Sequence, residues 1–245
     1  HDQPAISDSE HRNYDCFPFP ALARTMRRVL SDYGDHVLIK SPNNGHAMLR
    51  QALAAYLGRN RGMRVAPDQI IIGSGAEYLY GLAAEMFGSG IVIGVEGPCY
   101  RKIEQVYRNR GVQLEFLPLG SDGINSLSLQ NSRADVLHIS PFRSYPSLIT
   151  ASASKRAEYV LWAQRKDRYI IEDDYESEFS LLRKPEDTVF ALSTTENVIY
   201  MNTFTKTISP SLRIGYMVLP ARLLPLYEER VGFYSCTVPT FEQLV

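Results

Sequence analysis

Apolar positions recur at helical spacing in two stretches near the start of the chain, 21–30 and 47–57; in the second, Met48, Leu49, Leu53, Tyr56 and Leu57 carry the pattern. The turn-rich run Lys40-Ser41-Pro42-Asn43-Asn44-Gly45 lies between them, so two helices joined by a loop are predicted. From residue 69 the pattern changes to short β-rich runs alternating with helical ones. Strands are predicted at 69–72, 91–95, 113–117, 135–139, 169–172, 198–201 and 213–219, and helices at 76–87, 100–110 and 153–166. The Ser-, Asn-, Asp- and Gly-rich stretch 119–133 reads as a surface loop.

Such alternation predicts an α/β fold, a mostly parallel sheet sandwiched between helices. The runs at 91–95, 135–139 and 169–172 are almost wholly apolar, as strands covered on both faces should be. Ligands of open α/β sheets bind beyond the carboxyl ends of the strands, so the loops that follow these runs are where chemistry is expected.

Composition narrows the choice of partners. Lys and Arg number 26 against 27 Asp and Glu in 245 residues, a net charge of −1 that does not suit a nucleic-acid-binding module. The apolar runs are too short to span a bilayer and the start lacks a signal sequence, so a soluble, cytoplasmic protein is expected, without membrane association. Cys16, Cys99 and Cys236 are odd in number and far apart and read as reduced thiols, and the five His show no metal-ligand spacing. The chain begins at His1 and stops within the helical pattern Thr240-Phe241-Glu242-Gln243-Leu244-Val245, so both ends read as cut.

Four clusters follow predicted strands. Thr203-Phe204-Thr205-Lys206 through Arg213 sets one lysine in a hydroxyl-rich loop with an arginine seven residues on: an amine that can react if it sheds its proton, and donors suited to a phosphate. Ile171-Glu172-Asp173-Asp174-Tyr175 runs an apolar strand into acids and a phenol; Asp173 and Tyr175, two apart, share a face, and such a carboxylate can pair with a protonated ring nitrogen. Gly73-Ser74-Gly75-Ala76-Glu77 brings backbone N–H groups and a helix start close to an anion. Glu96-Gly97-Pro98-Cys99-Tyr100 offers an aromatic face to a flat heterocycle. Taken singly, each also reads as an ordinary turn, acidic loop or packing residue. Together they supply what pyridoxal 5′-phosphate (PLP) requires: a lysine, an acid for the ring nitrogen and a phosphate cradle.

The order and wording of these motifs, with Pro42-Asn43-Asn44-Gly45 and Leu49-Arg50, resemble fold-type I PLP proteins of the class I/II aminotransferase kind, and within them the aminotransferase-like domain of MocR/GabR-type regulators of the GntR superfamily. The likeness runs from about Phe17-Pro18 to the end. It implies an N-terminal arm, helix and loop over 1–45 and a PLP-binding large domain over 46–245, with the C-terminal small domain and any N-terminal winged helix outside this chain. Residue by residue, it implies Lys206 as the cofactor-linked lysine and candidate general base, Asp173 as partner of the ring nitrogen, Tyr175 as donor to the phenolic oxygen and Tyr100 as stacking ring. Ser74, Gly75, Ala76, Thr203, Thr205 and Arg213 would hold the phosphate, while Asn44 and Gly45 match a loop lying near the partner subunit's site in a homodimer.

The departures fall in Ser140-Pro141-Phe142-Arg143-Ser144-Tyr145-Pro146-Ser147-Leu148, where Leu148 replaces a glycine and Arg143-Ser144 a His-Gln pair, and at Glu77, where Gln is more usual. Arg143 and Tyr145 are candidates for contact with an amine or amino-acid effector, Arg143 reading equally as a structural arginine. The expected function is a PLP-binding, effector-sensing and dimerisation domain of a bacterial transcriptional regulator, touching DNA only through a domain not in this chain; the alternative is a PLP-dependent aminotransferase acting on an amino acid and a 2-oxo acid.

Overall fold

A computed structural model describes residues 18–175, 187–204 and 213–245. Among the described residues, eight strands form one sheet: β1 (Ile70–Gly73), β2 (Val92–Gly97), β3 (Gln113–Gly120), β4 (Gly123–Ile124), β5 (Val136–Ile139), β6 (Tyr169–Asp173), β7 (Val198–Thr203) and β8 (Gly215–Val218), in the order β1-β8-β7-β6-β5-β2-β3-β4. The run from β7 through β6, β5 and β2 to β3 is parallel. β8 lies antiparallel between β1 and β7, and β4 pairs antiparallel with β3 at the far edge. The mostly parallel α/β sheet expected from the alternation is the architecture observed.

Helices α1 (Phe19–Tyr33), α2 (Ala47–Arg61), α3 (Ala76–Phe87), α4 (Arg101–Asn109), α5 (Ser126–Asn131), α6 (Ala153–Arg165), α7 (Val189–Leu192), α8 (Leu224–Arg230) and α9 (Thr240–Leu244) accompany the sheet. Strand parity decides which layer each side chain meets. On β6, Ile171 packs with Leu79, Met86, Ile103 and Tyr107 of the α3–α4 layer, while Ile170 packs with Tyr159, Val160 and Ala163 of α6. On β1, Ile70 and Ile72 meet Leu53 and Leu57 of α2, whereas Ile71 turns to α3. Continuing that alternation along β6 sends Glu172 toward the α6–α7 side and Asp173 toward α3 and α4.

The stretch 119–133 is not the surface loop expected. It holds β4 and α5 and buries Ile124 and Leu129 completely. Its polar residues are spent on local hydrogen bonds: Asn125 Oδ1 accepts from Ser128 N–H at 3.1 Å and caps α5. Lys155 Nζ donates to Ile124 O at 2.9 Å and Ile124 N–H donates to Tyr159 Oη at 2.8 Å, tying the hairpin to α6.

The chain order reverses between β2 and β5: β3 follows β2 on one side, whereas β6 and β7 follow β5 on the other. Such a switch point leaves a crevice at the carboxyl ends of the strands.

Candidate functional site

A cavity of about 370 Å³ opens at that crevice. The ends of β2, β5 and β6 contribute Val95 and Glu96, His138 and Ser140, and Asp173 and Tyr175; α3 contributes Ala76 and Tyr80; Cys99, Tyr100, Ile103 and Tyr145 complete the wall.

All three acids of the Glu172-Asp173-Asp174 run are buried, so none belongs to a solvated turn. They separate by parity. Glu172 accepts from the backbone N–H groups of Val189 and Phe190 at 2.8 Å each, holding the start of α7, and burial pushes its carboxyl up to about 8. Asp174 pairs with Arg61 and accepts from Tyr200 Oη at 2.7 Å. Asp173 alone of the three lines the cavity.

Asp173 is prepared on one side and open on the other. Its Oδ2 accepts from the Tyr80 hydroxyl and lies 3.6 Å from His138 Nε2, while Oδ1 is buried with no hydrogen-bond partner among the described residues. Tyr107 Oη lies 2.6 Å from His138 Nδ1. Burial holds the Tyr107 phenol well above its ordinary pKa, so it stays protonated. A buried carboxylate on the wall of an aromatic-lined cavity, with one oxygen unpaired among the described residues, suits a flat heterocycle with a protonated ring nitrogen, because a buried acceptor left unpaired is costly.

Tyr100 and Tyr145 meet edge to face at 5.7 Å between ring centres, both against the cavity. Tyr175 Oη donates to the backbone carbonyl of Arg143 at 2.6 Å, which ties the 140–148 segment to the end of β6. Arg143 is exposed, and its carbonyl, rather than its guanidinium, makes that contact. Leu148 has φ of 61°, so the backbone holds the left-handed turn at the position where the resemblance expects glycine. Glu96 Oε2 accepts from Ser140 N–H at 3.2 Å and Ser144 Oγ at 2.6 Å, and burial pushes its carboxyl up to about 7.

Of the residues predicted to hold a phosphate, Gly75 and Arg213 stand together. Gly75 has φ of 88° at the start of α3, and a Cβ there would stand 3.3 Å from Arg213 Nη2, so the guanidinium lies against the helix N-terminus. Ser74 N–H is engaged by Thr237 Oγ1 at 2.9 Å. Thr203 ends β7 opposite Gly215, and its N–H donates to Asn202 Oδ1 at 2.6 Å. Lys206, Thr205 and Cys16 lie outside the described residues. Asn44 and Gly45 stand elsewhere: Asn44 O accepts from Ile72 N–H at 3.0 Å, the neighbouring Asn43 Nδ2 donates to Gly232 O at 2.9 Å, and a Cβ on Gly45 would collide with Ile72.

Sequence reasoning missed Tyr80, Tyr107, His138 and Glu96. Tyr80 was within reach, since it stands four residues after Ala76 and so shares its helix face. His138 was visible as an ionisable residue between the apolar Leu137 and Ile139.

The chain belongs to the aminotransferase class I and II family, whose model matches residues 12–243. Among curated relatives it is 31% identical over 228 residues to the uncharacterized HTH-type transcriptional regulator YdeL of Bacillus subtilis, covering 93% of this chain and 49% of that protein. It is 31% identical over 213 residues to the probable rhizopine catabolism regulatory protein MocR of Rhizobium meliloti, covering 84% of this chain and 42% of that one. Among solved structures it resembles a kynurenine aminotransferase of Pyrococcus horikoshii, in a complex with PMP, with a TM-score of 0.83 and 25% identity over 94% of this chain and 59% of that one. The chain thus spans about half the length of the curated relatives it matches. No helix among the described residues is long and apolar enough to cross a membrane.

Proposed function

We propose that this chain is the PLP-binding, effector-sensing and dimerisation domain of a bacterial, cytoplasmic transcriptional regulator. The observation that carries the cofactor reading is Asp173 Oδ1, a buried acceptor without a partner among the described residues, on a side chain that lines an aromatic-walled cavity. In this reading Asp173 would hold the proton on the ring nitrogen, Tyr100 would stack on the ring and Tyr175 would donate to its phenolic oxygen in place of the Arg143 carbonyl. Ala76, Gly75 and Arg213, with Ser74, Thr203 and Thr205, receive the phosphate, and Lys206 is the covalent attachment and proton carrier. Bound PLP supplies an electron sink. Asp173 keeps the ring charged, with Tyr80 and His138 backing its other oxygen. Tyr145 and Arg143, from the segment that departs from the family wording, would select an amine or amino-acid effector, and Asn44 and the buried Gly45 would belong to a loop facing a second copy.

The regulatory role is supported by the likeness to YdeL and MocR at 31% identity, above the 25% shared with the kynurenine aminotransferase. DNA contact falls to sequence outside this chain. The same cofactor residues would also serve an aminotransferase, which the structural likeness supports.

In the complete protein, DNA affinity measured by fluorescence anisotropy is expected to change when PLP is added, without sustained conversion of amino acids to 2-oxo acids. DNA binding indifferent to PLP, together with steady turnover, would replace the regulator by the enzyme.

A further inference from the structure

Glu77 lies in the first turn of α3, next to Ala76 on the cavity wall. Its Oε2 accepts from Arg213 Nη2 at 2.9 Å and its Oε1 from the Lys102 ammonium group. The hydrogen bond from Lys102 leads the effects that hold the Glu77 carboxyl below its ordinary pKa, ahead of the opposing effect of burial, so it is ionised at neutral pH. Arg213 also lies against Gly75, at the helix start beside the cavity that Asp173 lines.

A carboxylate here works against an incoming phosphate in two ways. It occupies guanidinium donors that would otherwise fork onto phosphate oxygens, and it sets a negative charge beside a dianion at the positive end of a helix. Glutamine, which the resemblance leads one to expect here, could accept the same hydrogen bond with no charge. Lys102 moderates the conflict: when phosphate takes Arg213, Glu77 keeps one cation.

We propose that Glu77 sets the affinity for the cofactor's phosphate by competing with it for Arg213, making PLP an exchangeable ligand of this chain rather than a permanently held group. This rests on the PLP reading above and adds to it a residue that tunes retention. Lys102 acts in the opposite sense, because removing it leaves Glu77 more strongly committed to Arg213.

The test is an absorbance titration of the wild-type protein, Glu77→Gln and Lys102→Ala with PLP and, separately, with pyridoxal, which lacks the phosphate. Because the pair is part-exposed and screened, Glu77→Gln is expected to bind PLP roughly five- to tenfold more tightly, with the gain shrinking at high salt. Lys102→Ala should bind PLP about twofold more weakly, and pyridoxal affinity should be the same in all three proteins. PLP affinity equal in wild type and Glu77→Gln, or a gain that pyridoxal shares, would overturn the role of Glu77 while leaving the cofactor reading intact. No PLP binding by any of the proteins would overturn both.

Discussion

Asp173→Ala is expected to weaken PLP binding by roughly 10- to 150-fold, corresponding to the loss of one hydrogen bond to a charged group, about 1.5–3 kcal/mol. The expectation rests on how little else the carboxylate does. It is 3% exposed, its Oδ2 is committed to Tyr80 and backed by His138, and its Oδ1 has no partner among the described residues. Burial, ahead of the nearby Asp173 charge, holds the Tyr80 phenol well above its ordinary pKa, so Tyr80 remains a donor to the carboxylate at any physiological pH. Asp173→Asn separates charge from shape, since the amide oxygen can still accept from Tyr80 while the negative charge is gone. It should fold like the wild type and still lose most of the affinity. Absorbance titration with PLP, alongside circular dichroism to confirm folding, checks both variants; wild-type affinity in a folded Asp173→Ala protein would remove Asp173 from the site.

Arg61→Met is expected to cost about 3–5 kcal/mol of folding stability, because it leaves a buried carboxylate without its cation. Arg61 and Asp174 have side-chain exposures of 4% and 0%, and their pairing joins the end of α2 to the segment after β6 across 113 residues. The Tyr200 hydroxyl still donates to Asp174 in the variant but brings no charge. The Arg61 guanidinium also lies 5.3 Å from the centre of the Phe142 ring, whose neighbour Arg156 lies at 5.2 Å, so part of the loss is a cation–π contact. Removing both partners, as Arg61→Met with Asp174→Leu, should recover much of the deficit because no charge is then stranded. Urea unfolding followed by circular dichroism measures both. A loss below about 1 kcal/mol in the single variant, the range of an exposed pair, would show that water reaches Asp174.

The regular parts of this fold were readable because their period is written in the sequence. Met48, Leu49, Leu53 and Leu57 mark α2 at helical spacing, and the apolar runs before Glu96, Ser140 and Glu172 mark β2, β5 and β6. The short helices α5, α7 and α8 escaped the pattern, since 4 to 7 residues are too few to display a helical period, whereas α9 lies in the helical pattern read over 240–245. In 119–133, two apolar residues, Ile124 and Leu129, decide burial while the more numerous Ser and Asn serve as caps. At the site, parity along β6 separates Asp173 from Glu172, but which face meets α3 depends on where the helices pack. Pairings across long chain separations were out of reach: Glu77 with Arg213, 136 residues apart, and the Ser74 amide with Thr237, 163 apart.

The central claim, that this chain forms a PLP site, is tested most directly by covalent mapping. The protein is incubated with PLP, reduced with borohydride, digested and analysed by mass spectrometry. The account predicts a phosphopyridoxyl group on the peptide carrying Lys206, absent from Lys206→Ala. A folded protein that takes up no label, or that carries it on scattered surface lysines unchanged by Lys206→Ala, would contradict it.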